Sequence, residues 1–277
     1  MVPRPAATVM VVRDGHHASA PLEVLLLRRN LSSDFVGGAH VFPGGAVDPD
    51  DSGGRVARLC PGLDDGMASA ILGVGAGGLA YWVAAVRECF EEAGLLFACR
   101  SDAAAVSSSG PGDATTLARW RAALHARERT FVEICESEGL SLSVAALRYF
   151  AHWITPDGAP RRYDTRFFVA AAPDDQAPTH DEHETIAHEW VRPAHALERC
   201  RAGGMELVLP TRRNLQAIGR FSTVADLLEA ASAAGEIPTV LPRMVADERG
   251  ERVLLPGDPD YDHPDPVTGQ PAGIRRG

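Results

Sequence analysis

Two periodicities organise the apolar residues of this chain. Residues 7–13 (ATVMVVR) and 24–27 (VLLL) are Val- and Leu-rich runs of strand length, bounded by Pro5, by Asp14-Gly15 and by Arg28-Arg29. A hairpin across the polar residues 16–21 would join them. Residues 148–154, 163–171 and 185–191 read as further strands, and Thr155-Pro156-Asp157-Gly158 supplies strong turn chemistry between the first two. A helical period takes over at residues 79–93, where Val83, Val86 and Phe90, with Leu95 just beyond, mark a buried side. Gly94 stands where a left-handed C-terminal cap belongs. Further helices are expected at 117–129, 131–138, 193–202 (with Pro at its start), 211–218 and 222–234.

The stretches between are informative too. Residues 48–77 are polar and Gly-rich around a short apolar piece at 67–72, and read as a surface excursion. Residues 103–115 read as a linker, and 238–277, rich in Pro, Gly and Asp, as an extended or partly ordered tail. At 277 residues the chain is long for one small domain and short for two large ones. The reading is a single catalytic domain at 1–237, with insertions at 52–86 and 101–147, followed by the tail at 238–277.

Composition removes several function classes. A net charge of −10 argues against a nucleic-acid surface. All 27 basic residues are arginine, so no lysine-based covalent chemistry is open to it. Cys60, Cys89, Cys99, Cys135 and Cys200 are scattered and lack CxxC spacing. They predict neither a disulfide framework nor a zinc site, but reduced thiols in a cytoplasmic protein. No run is long enough to span a bilayer, and residues 1–5 lack the apolar run of a signal peptide.

The chemistry concentrates in Arg87-Glu88-Cys89-Phe90-Glu91-Glu92-Ala93-Gly94-Leu95. Glu88, Glu91 and Glu92 are three and four residues apart, so a helix presents all of them on one side. Carboxylates that close repel one another and call for a counter-charge. A hard divalent cation such as Mg²⁺ fits, because it takes carboxylate oxygens and leaves positions for water and phosphate.

With Gly45-x5-Asp51 upstream, this stretch resembles the Nudix signature: Gly, five residues, Glu, seven residues, then Arg-Glu-hydrophobic-x-Glu-Glu-x-Gly-hydrophobic. Asp51 stands where the pattern has Glu, and 35 residues (52–86) stand where it has seven. That insertion, Gly38-Ala39-His40-Val41-Phe42-Pro43-Gly44-Gly45, Trp153-Ile154-Thr155-Pro156 and Arg161-Arg162-Tyr163-Asp164-Thr165 resemble the peroxisomal acyl-coenzyme A diphosphatase branch (nucleoside diphosphate-linked moiety X motif 19). A coenzyme A signature is matched in part: Leu25, Leu26, Arg29, Gly38 and residues 42–45 fall in register, whereas Leu27, Asn30 and Asp34 depart from it. Asp34 replaces an Arg, and no peroxisomal Ser-Lys-Leu address ends the chain.

The resemblance implies an α+β Nudix fold, an α/β/α sandwich around a mixed β-sheet, with helical insertions and an extended tail. It implies Mg²⁺- or Mn²⁺-dependent hydrolysis of the diphosphate of coenzyme A or an acyl-coenzyme A. The metal ligands would be Glu88, Glu91, Glu92 and the Gly44 carbonyl, with Arg87 holding the carboxylate rotamers. Glu182 or Glu184, from the acidic run with Asp181, would be a supplementary ligand or the general base; a solvated loop is the plain alternative. Asp51 is either a ligand or a loop acid, left detached from the helix by the insertion. Arg28, Arg29, Arg161 and Arg162 are candidates for substrate phosphates, being guanidinium forks, against ordinary surface roles. Phe167, with Trp153 and Tyr163, would stack on adenine or pack in the core. His40 and His152 read as structural, and His180, His183 and His188 lack a full zinc ligand set. The partner is a small-molecule nucleotide substrate, with no nucleic acid or membrane. A homodimer would cover the unassigned Val240, Leu241, Val253, Leu254 and Leu255. The alternatives are a diphosphatase for ADP-ribose, a dinucleotide or a nucleotide sugar, and a non-catalytic nucleotide-binding module.

Overall fold

Alternating side-chain direction along β1 (Arg4–Arg13) sets the architecture. In the computed structural model, which describes residues 1–15, 21–30, 37–100, 104–110, 112–181, 184–247 and 250–262, Val9 and Val11 face one core and Met10 and Val12 the other. Leu25 and Leu27 of β2 (Glu23–Arg29) join the first, and Val24 and Leu26 the second. This is the two-residue period of a strand covered on both faces.

β1 is central to a mixed sheet. It runs antiparallel to β2 (Val12 opposite Val24) and parallel to the strand Tyr163–Ala171. β3 (His40–Val41) pairs with β2, and β4 (Gly44–Ala46) pairs with β1. A separate ribbon joins β5 (Ala98–Cys99) and β6 (Ser141–Leu142). β7 (Arg148–Ile154) lies antiparallel to β8 (Tyr163–Ala171), and β9 (Thr185–Val191) antiparallel to β2. The strand bounds at 148–154, 163–171 and 185–191 match those expected from the sequence.

One face is covered by α1 (Gly54–Leu59), α2 (Asp65–Leu72), α3 (Leu79–Ala93), α4 (Asp113–His125) and α5 (Phe131–Ser137). Trp82 of α3 packs on Phe168 of β8 with ring centroids 4.6 Å apart. The other face carries α6 (Pro193–Arg201), α7 (Leu209–Ile218) and α8 (Val224–Ala233), through Ala196, Leu215, Ile218 and Leu227. The result is the expected α/β/α sandwich.

Three expectations need correction. Residues 48–77 are no mere surface excursion: α1 and α2 bury Val56, Leu59, Ala68 and Leu72 in the first core, and their connection buries Leu63. Helix α4 ends before 129, because Arg127 adopts φ 56° and turns the chain. The tail is also more than extended chain. β10 (Thr239–Val240) runs parallel to β7, and β11 (Arg243–Asp247) pairs with β12 (Gly250–Leu254). Of its apolar residues, Leu254 is buried, while Val240 and Leu255 pack on the second core.

Candidate active site

The carboxylate helix α3 is placed by its apolar side. Val83, Val86 and Phe90 are fully buried against the sheet, and the helix stops at Gly94, whose φ of 69° is open to glycine. Its last carbonyls are gripped from α4: Arg121 donates from Nε to Glu91 O and from Nη2 to Glu92 O, each at 2.7 Å. A guanidinium at a helix C-terminus also complements the helix dipole. Arg121 was not among the residues singled out from the sequence. The available signal was its position: Leu117, Trp120, Arg121 and Leu124 share one helical face, and an arginine on a core face needs partners.

Arg87 organises the cluster. It is 7% exposed, and all five of its N–H donors are engaged. Nε and Nη2 form a two-pronged bond to Asp51, each at 2.9 Å. Nη2 also donates to Ala46 O at 2.8 Å, and Nη1 donates to Glu88 at 2.8 Å and Glu91 at 3.5 Å. Asp51 is 2% exposed and also accepts from the Asp48 N–H. The expectation that the insertion detaches Asp51 is therefore overturned: the chain leaves at residue 52, folds α1 and α2, and brings both ends of the gap together.

Backbone approaches the carboxylates from β4. The Gly44 N–H donates to Glu92 Oε2 at 2.9 Å. A Cβ on Gly45 would lie 2.5 Å from Glu88 Oε1, and one on Gly44 2.5 Å from Ala7 O. Close packing against the β1 main chain thus requires glycine at 44, while a side chain at 45 would push the Glu88 carboxylate out of its place.

The electrostatics of this cluster favour an added cation. Burial, then the neighbouring Glu91 and Asp51, raise Glu88 to about 7 against the pull of Arg87. Burial raises Glu91. Burial, then Glu88 and Glu184, raise Glu92, with the Gly44 N–H and Arg29 opposing. Arg87 keeps its charge: burial disfavours it, but Asp51, Glu88 and Glu91 outweigh that. One guanidinium therefore faces several buried or half-buried carboxylates, and hard oxygen donors of this kind suit a divalent cation such as Mg²⁺. Among the described residues no three His, Cys, Asp or Glu side chains form a ready-made ion cage. Glu88 is turned onto Arg87 and Glu92 onto Gly44, so loading would require those rotamers to release.

The other candidates divide. Arg29 ends β2 within electrostatic reach of Glu92, and Glu184 acts on Glu92 from the start of β9. Arg28 and Arg161 are exposed at strand ends. Arg162 is placed differently from expectation: 5% exposed, it donates to Thr155 O at 3.0 Å and Met1 O at 2.8 Å and pairs with Asp157 at 2.6 Å. Those bonds hold the main chain, and burial of the guanidinium keeps it from phosphate. Phe167 and Trp153 are in the second core, not in an open stacking position. His152 bridges Asp164 (2.6 Å) and Thr239 (2.7 Å), as a structural histidine does. His180 and His188 approach to 3.2 Å. Asp34, Glu182 and His183 lie outside the described residues.

Residues 74–216 match the NUDT19 Nudix domain family. The chain is 29% identical to the acyl-coenzyme A diphosphatase NUDT19 of Gallus gallus over 311 residues, covering 96% of this chain and 82% of that protein. It is 27% identical to the Homo sapiens protein of that name over 270 residues, covering 86% and 72%. In three dimensions it is similar to the crystal structure of a NUDIX hydrolase from Alicyclobacillus acidocaldarius, with TM-score 0.66 and 28% identity, over 86% of this chain and 99% of that one.

Proposed function

Because the chain belongs to the NUDT19 Nudix domain family and is a Nudix diphosphohydrolase, we propose that it hydrolyses the diphosphate of coenzyme A or an acyl-coenzyme A with Mg²⁺ or Mn²⁺. The observation that carries the chemistry is the Glu88–Glu91–Glu92 cluster, with Glu88 and Glu91 bonded to Arg87, Arg87 held by Asp51, and Glu92 bonded to Gly44 at the start of β4. The substrate class comes from the relatives named acyl-coenzyme A diphosphatase.

Glu88, Glu91, Glu92 and the Gly44 carbonyl would hold the divalent metal. When bound, that metal supplies Lewis-acid polarisation of the diphosphate and lowers the pKa of an attacking water. Arg87 holds the Glu88 and Glu91 carboxylates while Asp51 holds Arg87, so the donors are gathered at one place, from which Glu88 and Glu92 would turn to take the metal. Glu184, exposed and near Glu92, is the residue we assign as general base, taking the water proton as its oxygen attacks phosphorus. The anhydride P–O bond breaks on the far side, giving 3′-phosphoadenosine 5′-phosphate and a phosphopantetheine or its acyl thioester. Arg29 and Arg161 are assigned to phosphate oxygens.

Incubation with Mg²⁺ or Mn²⁺ and a panel of coenzyme A, acyl-coenzyme A, ADP-ribose and NADH tests this reading. Cleavage of the coenzyme A substrates is expected. Activity confined to ADP-ribose or NADH would sink the substrate assignment, and tight nucleotide binding without turnover would sink the enzymatic one.

A reducing, cytoplasmic setting is supported by the free Cys60, Cys89, Cys99, Cys135 and Cys200. No helix among the described residues is long and apolar enough to cross a membrane. The homodimer now rests on the exposed Met244 and Val253 of the β11–β12 hairpin, and a monomer mass by light scattering would refute it.

A further inference from the structure

A groove of about 860 Å³ lies between α4 and residues 177–181. Its volume falls in the range of small-molecule sites, roughly 300–1,000 Å³. Phe90 and Leu117 line it from the buried side. Ala114, Ala118, Ala122 and Ala126 line it along α4, one every helical turn, and all four are exposed. The polar groups gather where the groove meets the site. Arg121, which holds the end of α3, also donates to Thr179 Oγ1 at 2.8 Å. Glu184 lines the same groove and acts on Glu92. The groove therefore meets the site at Glu184, the residue assigned as general base.

We propose that this groove receives the acyl-pantetheine arm of the substrate, with the fatty acyl chain lying along the alanine row of α4. This deepens the coenzyme A reading and rests on it. The lining chemistry separates this arm from the adenosine end. A purine site needs an exposed aromatic face to stack on and donors and acceptors to read its edge. Here the aromatic Phe90 is fully buried, the other rings are the imidazoles of His125 and His180, and the α4 wall presents four alanine methyl groups beside Arg121 and His125. A flexible saturated chain gains affinity through area alone, and the row of alanines gives it a long, shallow apolar track along one wall. The helix that builds this wall belongs to residues 101–147, and the carboxylate helix contributes Phe90 to the buried side.

The test is equilibrium binding of acetyl-, octanoyl- and dodecanoyl-coenzyme A in the presence of a chelator, with turnover in Mg²⁺ measured in parallel. Burial of methylenes is worth up to roughly fourfold in affinity each, so an open groove should give at least about tenfold tighter binding from acetyl to dodecanoyl. Ala118→Trp fills the track and should reduce that ratio to below about twofold; Ala122→Leu is the milder replacement should the first variant not fold by circular dichroism. No chain-length dependence in the wild type, or the same dependence in a folded variant, would overturn the groove. Cleavage of coenzyme A without chain-length dependence keeps the diphosphatase reading and removes the groove. Chain-length-dependent binding without cleavage keeps the groove and removes the diphosphatase reading.

Discussion

Arg87 and Arg162 are both almost fully buried, at 7% and 5% exposure, and both lie in stretches that resemble the same enzyme branch. Their partners set them apart. Arg87 is bonded to the carboxylates Asp51, Glu88 and Glu91, with one carbonyl. Arg162 is bonded to the carbonyls of Thr155 and Met1 and pairs with the mostly exposed Asp157. An arginine held by carbonyls fixes the path of the chain, here the turn into β8 and the approach to β1. One held by carboxylates fixes the placement of charge. A buried guanidinium thus marks an organised region without saying which kind, and the acceptor chemistry around it decides.

The largest effect expected from breaking this contrast is at the carboxylates. Glu92→Gln should lower kcat about a thousandfold, since metal-assisted chemistry contributes several kcal/mol of transition-state stabilisation. Circular dichroism should remain native; retained turnover would remove the cluster from the mechanism. Arg87→Met should cost both activity and about 3–5 kcal/mol of stability by denaturant unfolding, because Asp51 and Glu88 would stay buried with no counter-charge. Arg162→Met should cost about 1–3 kcal/mol from unpaired carbonyls, with kcat of the folded enzyme within about twofold of wild type. A large kcat loss at Arg162 would end the distinction.

A smaller effect, and a sharper one, is the pH dependence of the two regions. Glu88 in metal-free protein is raised, by burial and then its acidic neighbours, to about 7 from its ordinary 4.5. Its contribution is full below the unfolded value and is lost as pH rises through about 7. Asp164, on β8 close to Arg162, is held low: burial opposes this, but the His152 bond and Arg166 outweigh it. Its contribution is present above its ordinary value of 3.8 and is lost as pH falls through its lowered folded value. Unfolding of metal-free Glu88→Gln and Asp164→Asn variants across pH 3–8 should therefore alter opposite limbs of the wild-type stability curve. Mg²⁺ should flatten only the neutral limb. Equal effects on both limbs would refute the difference in role.

Much of this was legible in the sequence because it was local. The α3 spacing put Glu88, Glu91 and Glu92 on one side, and Gly94 marked the helix end where the structure has it. The strands at 148–154, 163–171 and 185–191 were read from runs of apolar and β-branched residues. What escaped was decided by distant contacts. Asp51 is a polar residue in a Gly- and Asp-rich stretch until the chain returns as Arg87. Arg121 acts on helix ends about 30 residues earlier, and only its place on a core face hints at it. Arg162 and Phe167 looked like substrate contacts because residue type is visible in a sequence and burial is not.

The two-pronged bond between Asp51 and Arg87 makes this signature a shape rather than a string. Its two pieces are separated by residues 52–86 yet meet at 2.9 Å. Chain closure becomes harder only with the logarithm of loop length, so lengthening a seven-residue gap to 35 costs roughly 1.4 kcal/mol. Burial of Val56, Leu59, Ala68 and Leu72 from the inserted helices opposes that cost. The gap is therefore a place where new structure can be added or trimmed while the acidic centre keeps its form, and a contiguous pattern would overlook proteins that have used it.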